Sequence, residues 1–333
     1  MDKEKKSLCA LIDSFAGKSI AVWGDFILDE YVYGNTNRVS REAPVLILSY
    51  NKREFSLGGG GNSLLNLKSL GASPMPIGVI GSDSAGDEII RILKDKGIPT
   101  DFLIREKTFS TPAKIRILAG EENTRKQQIL RIDKEGRVPN TKNIRKKLGE
   151  HLDQAQEKAN ALLISDYNYF NVKENIYKKI LPDFKKAKIP VAVDSRFRML
   201  SFKQSTVSTP NEPEVEDALK IHLSDEKELL KQTGSRLLKK TASEAILLTR
   251  GSKGMVLFEK EKAPLYIPVY GTTDIVDVTG AGDTVISVFT LALTAGGTFS
   301  QAASLANYAG GIVVMKKGTA TVDCKKLKEA VVS

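Results

Sequence analysis

The sequence predicts an α/β protein: a mostly parallel central sheet flanked by helices, with a small antiparallel β lid. Three observations predict it. Short β-rich apolar runs alternate with amphipathic helical stretches along much of the chain. Two regions break that rhythm with a period of two. Two glycine-rich turns each lead into a helical pattern, an arrangement suited to holding an anion.

The first strand is expected over Ser19 to Trp23, followed by a helix over Ser63 to Leu70, a strand over Pro76 to Ile80 and a helix over Ala85 to Lys96. The alternation resumes with a strand over Ala161 to Ser165, a helix over Glu174 to Lys186, and strands over Val191 to Asp194, Ala245 to Thr249 and Thr273 to Val276. Such βαβ units build a sheet whose ligands lie at the carboxyl ends of its strands. The interruptions run from Tyr31 to Phe55 and from Ala113 to Asp133, where Val45, Ile47, Ile115, Ile117, Ile129 and Ile132 fall in short alternating patterns. They imply lid strands inserted at about 31–56 and 113–133 into one domain spanning 1–333, with the exposed lid face serving as a homodimer contact. No internal repeat or low-complexity linker divides the chain.

Composition narrows the function. At 333 residues, 41% hydrophobic and 27% charged, the chain is ordinary globular material. Its two cysteines, Cys9 and Cys324, form no C-x-x-C pair, which speaks against a disulfide framework and fits a reducing compartment. The apolar segment after Met1 to Lys6 is short and broken by Asp13, a poor secretory signal. The run Val285 to Ala295 falls well below the roughly 20 residues of a membrane span and reads as a buried helix. A cytoplasmic protein with no membrane partner is expected. The net charge of +10 is scattered in short groups, which favours solvated faces and a local basic pocket over a nucleic-acid surface. With two histidines and no H-E-x-x-H, neither a histidine metal site nor a serine triad is indicated.

The strongest chemical signal is Asp277-Val278-Thr279-Gly280-Ala281-Gly282-Asp283. Behind it Val285, Val288, Phe289, Ala292 and Leu293 recur at helical spacing. Gly280 and Gly282 let the backbone approach a ligand, so first-turn N–H groups can converge on a phosphate. Asp283, at the mouth of the turn, suits a base accepting a proton from an attacking alcohol; the competing reading is a carboxylate that only stabilises the helix start. The second cluster, Gly58-Gly59-Gly60-Gly61-Asn62, precedes a helix and suits close approach to a polyhydroxyl ligand, with a hinge loop as the alternative.

Nucleotide motifs of other kinds are missing. Gly17-Lys18-Ser19 lacks the first P-loop glycine, since Ile12 stands there, and neither glycine cluster completes G-x-G-x-x-G. Further polar groups follow the expected strands: Asp25 and Asp29, Asp166, Asp194 with Arg196, and Asn211 with Glu214. Singly each suits a cap or turn, but their common address suits sugar hydroxyls or hydrated magnesium.

At these segments the sequence resembles the ribokinase-like, or PfkB, carbohydrate kinases, from about Gly24 to Val322. Gly58 to Asn62 is similar to that family's sugar-side motif and Asp277 to Asp283 to its catalytic motif. Within the family, Gly24 to Tyr31, Arg38 to Val45, Ser165-Asp166-Tyr167 and Gly318 to Val322 are most similar to the kinase domains acting on D-glycero-D-manno-heptose 7-phosphate at the anomeric carbon, a step toward ADP-heptose and lipopolysaccharide. The resemblance implies ATP and Mg²⁺ as cofactors, Asp283 as base, and the amides of Gly280, Ala281 and Gly282 around the transferring phosphoryl. It implies that Asn211 and Glu214, an N-x-x-E element, help place magnesium and phosphates, with Glu214 acting indirectly. Thr249, Arg250, Gly251 and Gly254 would line the nucleotide side together with Thr279, or else form an ordinary hairpin turn. Asp25, Asp29, Gly59, Gly60, Asn62 and Asp166 would lie on the sugar side. Asp277 and Thr279 would border a monovalent cation site, K⁺ by analogy.

Two departures bear on the acceptor. Heptose kinases usually continue Asp-Tyr with x-Lys-Gly, where this chain has Asn168-Tyr169-Phe170, and usually show Asp-Pro-Lys, where it has Asp194-Ser195-Arg196. No His-x-Gly-His begins at His151 or His222, so no nucleotidyltransferase domain is expected. The expected function is an ATP-dependent kinase of a small phosphosugar. The rivals are a related kinase of another sugar, phosphosugar or nucleoside, a silent nucleotide-binding regulator on the same scaffold, and a nucleic-acid binder suggested by charge.

Overall fold

The computed structural model describes residues 2–121, 126–271, 276–316 and 318–333. Its strands are β1 (Ser19–Gly24), β2 (Phe26–Val39), β3 (Leu46–Gly59), β4 (Ser73–Gly81), β5 (Leu103–Glu106), β6 (Ala113–Gly120), β7 (Gln127–Lys134), β8 (Ala161–Asp166), β9 (Val191–Ser195), β10 (Val207–Ser208), β11 (Ala245–Thr249), β12 (Met255–Glu259) and β13 (Leu265–Ile267). The strand expected over residues 273–276 lies, apart from Val276, outside the described residues, as do Met1 and Lys317.

Nine strands form one sheet in the order β13-β12-β11-β10-β9-β8-β1-β4-β5. Pairing is parallel from β5 to β11, and the sheet ends in an antiparallel β11-β12-β13 edge. Both faces are covered, which is why the strands read as continuous apolar runs. Ile20, Val22, Leu163 and Leu247 enter one core, whereas Ala21, Trp23, Ile164 and Val193 enter another on the opposite face. Strand order reverses at β1, with β4 on one side and β8 on the other, so a crevice opens beyond the carboxyl ends of β1 and β8.

The lid is a four-stranded sheet, β3-β2-β6-β7. It is antiparallel within the β2-β3 and β6-β7 hairpins, as expected, but the hairpins meet through a parallel β2-β6 pairing. The parallel join is available because the chain passes through the helix Gly60–Ser69, β4, the helix Ser84–Asp95 and β5 before it returns as β6.

The glycine cluster does not form a loop before its helix. Gly58 and Gly59 end β3, and Gly60 and Gly61 already belong to the helix Gly60–Ser69. The lid strand turns straight into the helix because Gly59 adopts φ +58°, and a Cβ there would meet the Asp25 carbonyl oxygen at 2.7 Å. The helix Ala281–Thr294 is buried all round from Asp283 to Ala292, not along one stripe. Its interior hydroxyls are satisfied locally: Ser287, Thr290 and Thr294 donate to the carbonyls four residues back. Among the described residues no helix is long and apolar enough to cross a membrane.

Candidate active site

Two glycine-bearing helix starts meet beyond β1. Gly280 caps the helix Ala281–Thr294 in the left-handed region, φ +77°, and a Cβ there would lie 2.4 Å from the Asn62 amide nitrogen. That missing Cβ lets Asn62, from the other helix, donate to the Gly280 carbonyl and to Asp283 Oδ2, each at 3.1 Å. Tyr167, just past β8, donates to Asp283 Oδ1 at 3.0 Å. The Asp283 carboxylate is therefore gripped from both sides while only 2% exposed. Burial pushes its pKa up to about 7, against the pull of Asn62 and Tyr167; Asp29 adds to the rise and Lys114 opposes it.

The turn offers fewer amides than the sequence suggested. Ala281 N–H is bonded to the Val278 carbonyl at 3.2 Å, because the turn tightens on itself before the helix begins. No described residue accepts from the N–H groups of Gly280, Gly282 or Asp283, so these are the donors positioned for an anion. Asp277 bonds Thr279 N–H through Oδ1 and Gly318 N–H through Oδ2, both at 2.9 Å. Burial raises its pKa, but these bonds outweigh it and hold the group below the usual carboxylate range. It serves as a tie between the turn and residue 318.

The acids at the strand ends divide by what already engages them. Asp25 is fully buried and accepts from the backbone N–H groups of Tyr167, Tyr169 and Asn171. Burial first, and then the charge of Asp166, push its pKa up to about 6 against those three bonds. Its carbonyl receives Gly60 N–H at 2.9 Å. Asp166 is locked to Arg198 and takes the Ser195 hydroxyl at 2.6 Å. Both acids thus organise the site's walls through these bonds. Asp29 pairs with Arg116 across the lid at 2.5 Å.

Asp194 and Glu214 present a different environment. Burial, followed by the charges of Glu214, Asp283 and Asp166, raises Asp194 well above its ordinary value, and burial also raises Glu214. Arg196 opposes both shifts. Asn211 and Glu214 form a reciprocal capping box, with contacts of 2.9–3.0 Å, at the helix Glu212–Leu219. That box bridges to Thr249, so the two nucleotide-side segments are adjacent. The 249–254 segment is the hairpin turn between β11 and β12, with Gly251 and Gly254 both at positive φ. Arg250 is committed to Glu212 and Asp225, at 2.7 and 2.5 Å.

Tyr167 and Lys114 are the site residues that motif reading did not single out. Tyr167 sat in a quoted segment, yet only the fold reveals that its hydroxyl reaches a residue 116 positions away. Lys114 and Arg196 are cations with no carboxylate within ion-pair distance among the described residues. Lys114, on the lid, acts through space on Asp283, and Arg196 on Asp194 and Glu214.

Comparison with known proteins places this geometry in context. Residues 18–326 match the pfkB family carbohydrate kinase domain. The chain is 35% identical over 320 residues to the bifunctional protein HldE of Geobacter metallireducens, covering 96% of this chain and 64% of that protein. It is 36% identical over 318 residues to HldE of Haemophilus influenzae, covering 95% and 64%. It thus spans about two thirds of the length of these relatives. Among solved structures, Arabidopsis thaliana ribokinase complexed with ribose and ATP superposes with a TM-score of 0.72 at 20% identity, covering 95% of this chain and 99% of that one. Escherichia coli phosphofructokinase-2 in complex with potassium gives 0.75 at 17% identity, covering 95% and 98%.

Proposed function

The chain belongs to the pfkB family of carbohydrate kinases, and from that premise we propose that it transfers the γ-phosphoryl group of ATP to the anomeric hydroxyl of D-glycero-D-manno-heptose 7-phosphate, giving the 1,7-bisphosphate. The observation that carries this reading is the Asp283 carboxylate, buried and held by Asn62 and Tyr167 at a helix start whose Gly282 N–H has no described partner. An alcohol bound against that carboxylate gives it a proton as the oxygen attacks γ-phosphorus. The bond from γ-phosphorus to the β,γ-bridging oxygen breaks, and ADP leaves with its electron pair. The turn amides of Gly280 and Gly282 stabilise the charge that collects on the phosphoryl oxygens.

Magnesium belongs to the nucleotide in this proposal. The charge of Glu214 adds to the burial that raises Asp194, and burial raises Glu214, the environment a bound cation relieves. No cluster of three or more ligating side chains is arranged for direct chelation among the described residues, so the ion would be held mainly by phosphate oxygens and water, neutralising phosphate charge. A monovalent cation near Asp277 is carried as part of the proposal; rate measurements with and without potassium test it.

A phosphate-bearing acceptor is supported by Lys114 and Arg196, which have no carboxylate within ion-pair distance among the described residues. The heptose is supported by the similarity to HldE proteins and by the heptose-kinase-like segments from Gly24 to Val45. A panel of heptose 7-phosphate, fructose 6-phosphate, unphosphorylated sugars and nucleosides with ATP tests the acceptor. A higher kcat/KM for fructose 6-phosphate or a nucleoside rejects the heptose.

We also propose a single cytoplasmic kinase domain that dimerises through the lid. Val39, Leu46, Tyr50, Ile129, Leu130 and Ile132 are large apolar residues exposed there, an arrangement a partner sheet would cover. A solution mass of one chain rejects the dimer.

A further inference from the structure

The loop that carries Tyr167 to Asp283 continues into a second site. Asn168 and Phe170 both adopt φ +67°, a conformation non-glycine residues rarely hold without constraint. Asp25 supplies that constraint through its three backbone bonds at 167, 169 and 171. Beyond this anchor the chain lines a cavity of about 350 Å³ whose walls include Asn140, Phe170, Val172, Lys173 and Arg198.

The cavity's charges are unequally matched. Arg198 is paired with Asp166, and Lys178 with Glu174 at 2.6 Å. Lys173, only 7% exposed, has no carboxylate within ion-pair distance among the described residues. Its ammonium donates to the Val138 carbonyl at 3.1 Å, leaving two of three donors available. Burial, followed by Arg198, Arg137 and Arg145, pushes its pKa down to about 8, with Asp25 opposing. Arg137 lies over the Phe170 ring, 3.6 Å from its centre, also without a described carboxylate partner. The helix Glu174–Lys186 starts at the same wall with no side-chain cap among the described residues, which leaves its first-turn N–H groups available to an anion.

A buried ammonium lacking an anion is costly, and a bound anion removes that cost. We propose that this cavity binds a phosphate monoester, held by Lys173 and by Arg137 at its edge, and linked through the loop to the Tyr167–Asp283 contact. The phosphate is either that of the acceptor sugar, in which case this cavity takes the place of Lys114 and Arg196 in holding it, or that of a separate phosphorylated metabolite; the ligand chemistry is the same.

Inorganic phosphate is titrated calorimetrically into the whole chain, saturated with magnesium and a non-hydrolysable ATP analogue so that the Gly280 turn is filled. A binding event is expected, weakened about tenfold or more by Arg137→Gln and by Lys173→Met, the loss of one charge-assisted contact each. Arg137 is exposed, so its variant keeps the test decisive if Lys173→Met does not fold. The absence of binding by the parent, or equal binding by Arg137→Gln, overturns the proposal. Displacement of phosphate by the acceptor phosphosugar assigns the site to the acceptor's own phosphate, and simultaneous binding assigns it to a separate effector. Binding is read without turnover, so failure here is distinguishable from failure of the kinase reading.

Discussion

Tyr167 donates its hydroxyl to Asp283 Oδ1 at 3.0 Å, joining the end of β8 to the start of the helix that carries the carboxylate. Burial, and then the charge of Asp283, keep the phenol well above its ordinary pKa, so it remains a donor across the working pH range. A donor to the charged form lowers a carboxylate's pKa. Tyr167→Phe should therefore move the acid limb of the kcat profile to higher pH by about one unit, the worth of one hydrogen bond to a charge. Activity lost near neutrality should return in alkaline buffer. A uniform loss at every pH would assign Tyr167 a purely structural part.

Asp283 should also set a pH dependence of stability. The folded carboxyl holds its proton up to about pH 7, whereas the ordinary value is 3.8. Between those values the folded state binds the extra proton, so this group's contribution to stability falls as pH rises. Asp283→Asn lacks that ionisation. Its Tm advantage over the parent should grow from about pH 4 to 7 and level off above; an advantage independent of pH would contradict the burial argument.

Gly280 and Gly282 should respond differently to alanine. At Gly280 the methyl meets positive φ and the Asn62 amide at 2.4 Å, so Gly280→Ala should cost about 1–3 kcal/mol of stability and displace Asn62 from Asp283. At Gly282 the nearest atom is Asp194 Oδ2 at 3.9 Å. Gly282→Ala should keep or raise Tm, since alanine favours the helix by up to about 1 kcal/mol, while weakening ATP binding by crowding the turn. Thermal melts and ATP titration check both.

Lys114→Met and Arg196→Gln address the acceptor. Each should raise KM for the phosphosugar about tenfold or more, the loss of one ionic contact to phosphate. KM for the corresponding unphosphorylated sugar should stay nearly unchanged. Equal effects on both acceptors would remove the phosphate from their role.

The sequence made the architecture legible where periodicity is strong: the strand at Ala245–Thr249 and the helix at Glu174–Lys186 lie where apolar spacing put them. The turn at Gly280 was equally visible, because consecutive small residues before a helical stripe have few other uses. Partner choice was not visible. Asp25 and Asp166 stand at strand ends as expected, yet their oxygens are taken by loop amides and by Arg198, which follows β9. Nothing in local spacing shows which carboxylate will find such a partner. Tyr167 was hidden for the same reason, since its meaning depends on β8 lying beside β1.

Steady-state turnover of Asp283→Asn with ATP, magnesium and heptose 7-phosphate, alongside ATP affinity, tests the central claim most directly. Loss of a buried base predicts a fall in kcat of about 10²–10⁴ with ATP binding retained. Turnover at the parent rate would contradict it.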